Sequence, residues 1–541
     1  MQPALLIRNG LIVDGTKAPG YPADVLLADG KIAAIGRLSD IPGTREVNAR
    51  GLVVCPGFID PHRHIDAALL RTGEYGEVEL RQGITTALCG NCGFSLFPCQ
   101  SNRQQELLRF LTPIMGDMTG LCAYESFDDY REAVEKNHPS LNVGFMVGSG
   151  TVRMGLSGYV SGPISKAQLD ASCRLIEKSL SLGAFGLSMG LMYSPENYYG
   201  LEELIQLAKP LIPYGAPLVT HIRGEGTGLA RSVQEVLEIS RSAGVPLQIS
   251  HFKAAGKASW GEVFQTAISL VEEAIRSGQD VACDAYPYEA GSTSLLTLLP
   301  PKWLAEGTQA LAERLKTKDA REELAHILEN EQPDWDNIVA SCGLQSIWIS
   351  SVNKPENKRF VGRSIAESAQ REGVLPSELL CDLVVSEQGN AGIINFIVSE
   401  VNLRKVLGWD PIHIISDSVL PPGKPHPRYY GAFPKILRKY VREEKLLTLE
   451  EAIHRMTWKT AARYGLAGKG LLKPKMDGDL VIFDPDAITD TATYESSEQL
   501  AKGIRMVVLN GVPVAENDQV TQKGRGNVLV RIGKGKEPHG K

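Results

Sequence analysis

The chain has 541 residues, 43% hydrophobic and 22% charged, with 57 Lys and Arg against 63 Asp and Glu and a formal net charge of −6. That length exceeds an ordinary domain of ~150 residues about threefold, so more than one structural unit is expected, and the composition suits a large buried core and excludes disorder. Nucleic-acid, membrane and secretory readings fail as well: no basic block precedes the tail from Lys523, no apolar run approaches ~18–20 residues, and MQPALLIRNGLIVDG has no basic lead-in.

The first fifty residues read as short strands, LLIRNGLIVDG, ADVLLADGKIAAIG and EVNARGLVVCPG, with breaks at Asn-Gly or Asp-Gly, dipeptides that favour hairpin turns. The same style returns in DGDLVIFDP (477 to 485) and IRMVVLNGVPV (504 to 514). A few strands make no stable sheet alone, so residues 1–55 and 471–541 are expected to pair into one small β-domain. The tail from about Val520, rich in Gly and Lys, is expected to be loosely held.

Between 56 and 470 the pattern alternates apolar strands with amphipathic helices. In SKAQLDASCRLIEKSLSLG, Leu169, Cys173, Ile176 and Leu180 line one helical face and Gly183 ends it. PLVTH (217 to 221), a helix around Val233, Val236 and Leu237, VPLQISH (245 to 251), a helix from Trp260 through Val271, and VACDAYPY (281 to 288) follow. Repeated strand–helix–strand units predict a parallel sheet covered by helices, and the length allows an eight-fold α/β barrel with an insertion, placed at about 289 to 345.

In PGFIDPHRHID (56 to 66), His62 and His64 lie two apart and would face the same side of a continuing strand, while Asp66 could tether a loop or orient a ring. A polar turn holding two histidines is the plain alternative. GITTALCGNCGFSLFP (83 to 98) carries Cys89 and Cys92; with no second cysteine pair a four-thiolate zinc site has little support, so Cys92 reads as a lone thiolate ligand and Cys89 as core. The nine cysteines in all are scattered as in a reducing cytoplasm. His221 and His251 each follow an apolar run, 30 residues apart, one barrel unit. Asp417 in HIISDSVLPPGKPHPR (413 to 428) follows a further strand, where a carboxylate can touch a metal and a water and serve as general base and acid.

Together PGFIDPHRHID, GITTALCGNCG, HIRGEG, ISHFK, YPYEAGSTSLLTLLP, ISDS, HPRYYGAFPKIL, LTLEEAIHRMTWKTAARYGL and DGDLVIFDP resemble the amidohydrolase superfamily, and within it the D-aminoacylase or N-acyl-D-amino-acid deacylase family. The resemblance implies a distorted (β/α)8 barrel with a β-sandwich built from both termini. It implies a tightly held zinc on Cys92, His221 and His251, and a second, weaker or empty site among His62, His64 and Asp417. It further implies that Tyr193, Lys253, Tyr286 or Tyr288, Ser292 and Arg428 contact the substrate. The expected reaction is hydrolysis of an N-acyl-D-amino acid by metal-activated water, with Asp417 as general base and then acid, in a cytoplasmic enzyme whose partner is a small molecule. Assembly into a homo-oligomer is left open.

The alternative on the same scaffold is a cyclic-amide hydrolase of the hydantoinase or dihydroorotase kind, or a deaminase. The cyclic-amide enzymes usually use a strand-end carboxylated lysine, and Lys166, Lys178 and Lys209 are not placed at strand ends. The chain departs from the family pattern at Ser418, where Gly is usual, at Gly224, where Asn is more frequent, and at Arg63 between the two histidines.

Overall fold

Where the two ends of the chain meet, Leu480–Phe483 pairs antiparallel with Val53–Pro56, Leu480 opposite Pro56 and Phe483 opposite Val53. This computed structural model describes residues 4–71, 75–332, 335–419 and 423–532. The junction joins both termini into one nine-stranded sheet that supplies the β-sandwich. Its inner face buries Leu5, Ile7, Val25, Leu27, Val54, Ile482 and Val508, the period-two alternation of half-buried strands. Asp29-Gly30 and Asn510-Gly511 have positive φ at both residues, as the tight hairpin turn requires. Asn9-Gly10 does not turn: it lies inside the single strand Leu5–Ile12, where the register shifts between Ile7 and Gly10. There the left-handed residue is accommodated as an irregularity in pairing.

Eight parallel strands form the barrel: Phe58–Asp60, Ile84–Cys89, Asn142–Phe145 continuing as Val147–Gly148, Leu187–Gly190, Leu218–His221, Leu247–Ile249, Val281–Ala285 and Ile412–Ile414. The eighth closes on the first just past the strand ends, where Ser418–Val419 pairs with Arg63–His64 and the Asp417 N–H donates to the His62 carbonyl at 3.0 Å. Helices Lys166–Ser181, Leu201–Ala208, Leu229–Ala243 and Glu262–Arg276 cover the outside. The first of these starts at a Ser165/Gln168 capping box and buries Ile176 and Leu180, matching the four-three-four spacing.

The seventh and eighth strands pair directly, so everything from 286 to 411 is an excursion from the barrel, longer than the 289 to 345 expected. It holds an antiparallel sheet in which Gly392–Phe396 lies between Ala290–Ser294 and Ile347–Ser351, and helices including Ile365–Glu372 and Pro376–Glu387. IWISS and GIINF have the local pattern of barrel strands; which partner they pair with is a nonlocal matter.

The tail also differs from expectation. Val143 N–H donates to Asn527 O at 2.9 Å, Leu529 N–H to Val143 O at 2.7 Å and Arg531 N–H to Gly183 O at 2.8 Å, so residues up to 531 strap the floor of the barrel. Residues 533–541 lie outside the described residues. Among the described residues no helix is long and apolar enough to cross a membrane.

Candidate metal centre and active site

The C-terminal ends of the strands deliver their polar residues to one cleft, the end at which barrel enzymes carry their chemistry. His62 and His64 follow the first strand, Cys92 the second, His221 ends the fifth, His251 follows the sixth and Asp417 the eighth. Cys92 Sγ stands 3.2 Å from His62 Nε2 and 3.6 Å from His251 Nε2, and the His221 and His251 rings meet edge-on at 4.4 Å between centroids. Asp417 Oδ1 lies 3.3 Å from His62 Nε2 and 3.6 Å from His64 Nε2. Three overlapping groups each keep their ligand atoms within 4.8 Å: His62, His64, Cys92; Cys92, His221, His251; and His62, His251, Asp417.

The donor chemistry fits a cation that accepts nitrogen and sulfur. Burial drives His62, His221 and His251 well below the ordinary imidazole range, so they are neutral. Both ring nitrogens of His221 lack a hydrogen-bond partner although the residue is buried, a costly state unless something else engages them. Burial, with Asp417, Asp284 and Glu225 nearby, pushes the Cys92 thiol well up; a cation is what makes it a thiolate. Asp417 goes the other way: burial raises it, but the Arg428 guanidinium beside it outweighs that and holds it well below the usual carboxylate range.

Cys92 (φ 53°), His251 (φ 36°) and Asp417 (φ 50°) all occupy left-handed backbone, which non-glycine residues rarely adopt and which clusters at functional sites. Each sits where its chain leaves a strand and must turn its side chain inward. Glu225 Oε1 lies 2.9 Å from His251 Nδ1 and accepts from Lys253 Nζ at 2.5 Å, fixing the ring so that Nε2 faces the cluster. Asp284 Oδ1 accepts the His251 N–H at 2.5 Å.

Of the expected substrate contacts, Tyr193, Lys253, Tyr286, Ser292 and Arg428 line the cleft. Arg428 Nη1 is 2.7 Å from Asp417 Oδ2, and its guanidinium lies over the Tyr286 ring at 4.6 Å. Tyr193 packs 4.9 Å from the His221 ring, with its hydroxyl 3.4 Å from Thr293 Oγ1. Tyr288 is a correction: it turns away from the cleft, its hydroxyl 3.4 Å from the Pro427 carbonyl and its ring against His426 and Tyr494. Two residues beyond Tyr286 it follows the end of the barrel strand, and the chain there no longer directs it to the mouth.

Cys89 is buried in the hydrophobic core. The Asp66 carbonyl accepts the Tyr130 hydroxyl at 2.8 Å, which ties the histidine loop to the helix Phe127–Lys136. Lys166, Lys178 and Lys209 are exposed on the outer surface. Arg63 is fully buried: it pairs with Glu79 at 2.6 Å and Asp60 at 3.2 Å, and stacks over Tyr429 at 4.8 Å. Asp60 in turn accepts the Ser416 N–H at 3.1 Å, so Arg63 braces the residues flanking Asp417 and Arg428.

Sequence reasoning gave no role to Glu225, Asp284 or Asp336. Asp284 was visible as a carboxylate inside an apolar strand and Glu225 as the acid four residues after His221, while Asp336 carried no local signal.

The Amidohydrolase family model matches residues 399–515. The chain is 35% identical to D-aminoacylase of Alcaligenes xylosoxydans xylosoxydans over 527 residues, 97% of either protein. It is 32% identical to N-acyl-D-glutamate deacylase of the same organism over 515 residues, 94% of this chain and 93% of that one. A crystal structure of N-acyl-D-glutamate deacylase from Bordetella bronchiseptica, complexed with zinc and a phosphonate mimic of the tetrahedral intermediate, matches with a TM-score of 0.81 at 30% identity, covering 97% of this chain and 99% of that one.

Proposed function

Because the chain belongs to the D-aminoacylase family of amidohydrolases, we propose that it hydrolyses the amide bond of N-acyl-D-amino acids, with zinc held by Cys92, His221 and His251. His62, His64 and Asp417 would form a second, weaker site. The observation that carries this reading is the convergence of the Cys92, His221 and His251 ligand atoms within 4.8 Å, with Asp417 and two cations, Lys253 and Arg428, in the same cleft.

Bound there, zinc supplies Lewis acidity, polarising an acyl oxygen and acidifying water. The chain's own groups do the rest. Arg428 offers a planar fork and Lys253 a point charge for the substrate's α-carboxylate, which fixes the amide carbon near Asp417. Asp417, ionised and facing the imidazoles through Oδ1, takes the proton of the attacking water and then delivers it to the departing nitrogen. The Tyr193 hydroxyl is within the same cleft to donate to the developing oxyanion.

The test is to load the purified protein with zinc and present N-acetyl-D-amino acids, their L-enantiomers and cyclic imides, following amine release. Release from the D-series with little from the others is expected. Equal turnover of the L-series, or turnover of cyclic imides alone, would refute the reading.

A further inference from the structure

Asp336 comes from the long excursion between the seventh and eighth barrel strands, yet it sits in a seat formed by the loop after the fifth. Its Oδ2 accepts the Gly226 N–H at 2.7 Å and its Oδ1 the Gly228 N–H at 2.8 Å. Three alternate glycines make the seat. A Cβ on Gly224 would stand 2.4 Å from Asp336 Oδ2, one on Gly226 3.1 Å from its Cγ, and one on Gly228 3.0 Å from its Oδ1. A side chain on Gly224 would displace the Asp336 carboxylate from this position. Held by the Gly226 and Gly228 N–H groups, Asp336 sets a negative charge into the wall of the cleft.

The surrounding chemistry tells what such a charge does. Beside Asp336 the cleft wall is apolar, made by Ala255, Ile338 and Ile397. Among the described residues lining the cleft, the lysine and arginine are Lys253 and Arg428. Each faces an acid of the protein, Glu225 at 2.5 Å and Asp417 at 2.7 Å, and both are needed for the α-carboxylate. Among the described residues lining the cleft, a second carboxylate on the substrate would meet no further lysine or arginine and would approach Asp336.

Resting on the proposed deacylase activity, we infer that Asp336, seated on Gly224, Gly226 and Gly228, is a specificity-determining residue that makes the cleft reject N-acyl-D-amino acids with acidic side chains. Like-charge juxtaposition in a partly desolvated site is a strong device of rejection.

The experiment compares kcat/KM of the zinc-loaded protein for N-acetyl-D-leucine, N-acetyl-D-glutamate and N-acetyl-D-lysine. Leucine should exceed glutamate on the order of 100-fold, and lysine should exceed glutamate as well. Asp336→Asn, which keeps one oxygen for the glycine N–H groups, should raise the glutamate-to-leucine ratio roughly tenfold or more. Ile338→Arg, which supplies the missing cation, should raise it independently of any change in the seat. Glutamate matching or exceeding leucine or lysine, or a glutamate-to-leucine ratio unmoved by Asp336→Asn, would overturn the inference alone. No turnover of any of the three would overturn the deacylase reading, and this inference with it.

Discussion

Asp417 stands between an arginine and two imidazoles, and that setting keeps it ionised, as the proposed proton transfer requires. Asp417→Asn keeps the shape and removes the charge, so kcat should fall roughly 10²- to 10⁴-fold, while elemental analysis still finds zinc on Cys92, His221 and His251. Near-normal turnover would mean that another group moves the proton. Arg63 is a residue of support. Removing its guanidinium leaves Asp60 and Glu79 as buried charges without their partner, so Arg63→Met should cost about 3–5 kcal/mol, read as a lower thermal unfolding midpoint. At this scale the sequence was informative where a residue type with metal-binding chemistry follows a strand, as at His62, His64, Cys92, His221 and His251, which the fold brings together. It was silent where the partner is remote, as with Asp336, and it left Tyr286 and Tyr288 undivided because local spacing cannot say where a strand stops directing its side chains.

The turn after the second barrel strand works as one element. Gly90 has φ +78°, and a Cβ there would stand 2.3 Å from the Met146 carbonyl, so the third strand packs directly against it. Gly90→Ala should displace the turn that presents Cys92 and lower the zinc content of the purified protein; full zinc occupancy would show that the turn tolerates the shift. Below the same turn Glu196 is fully buried and accepts from the Ser149 hydroxyl, and burial pushes its carboxyl up to about 7. Since its unfolded counterpart titrates near 4.5, ionisation is harder in the fold. The resulting penalty is absent below pH 4.5, grows as pH rises towards 7 and is fully present above it. Glu196→Gln should therefore gain thermal stability relative to the parent on going from pH 5 to pH 8, and a gap that is the same at both values would contradict the assignment. Hairpins at this scale were legible from Asp-Gly and Asn-Gly, except at Asn9-Gly10, where pairing on both sides turns the same dipeptide into an irregularity within one strand.

Across the whole molecule, the strap formed by residues 526–531 ties the third barrel strand and the turn before the fourth to the C-terminus, on the floor opposite the cleft. Truncation after Gln522 frees the Val143 N–H and uncovers the Val530 contact with Gly183. It should lower the unfolding midpoint with kcat little changed, since the cleft lies at the other end of the strands. A loss of kcat at unchanged stability would show instead that the strap acts on the site.

The sequence by itself determined the two kinds of architecture, the joining of the two ends and the His, Cys and Asp side chains that converge in the cleft, because periodicity, turn dipeptides and side-chain chemistry are local properties written in consecutive residues. Only the tertiary structure decided that IWISS and GIINF pair outside the barrel, that the tail straps its floor, and that Asp336 rests on the glycines of a distant loop. Strand partners and charge neighbours are chosen by the burial and hydrogen bonding of groups far apart in the chain, for which a single sequence carries no adjacent signal.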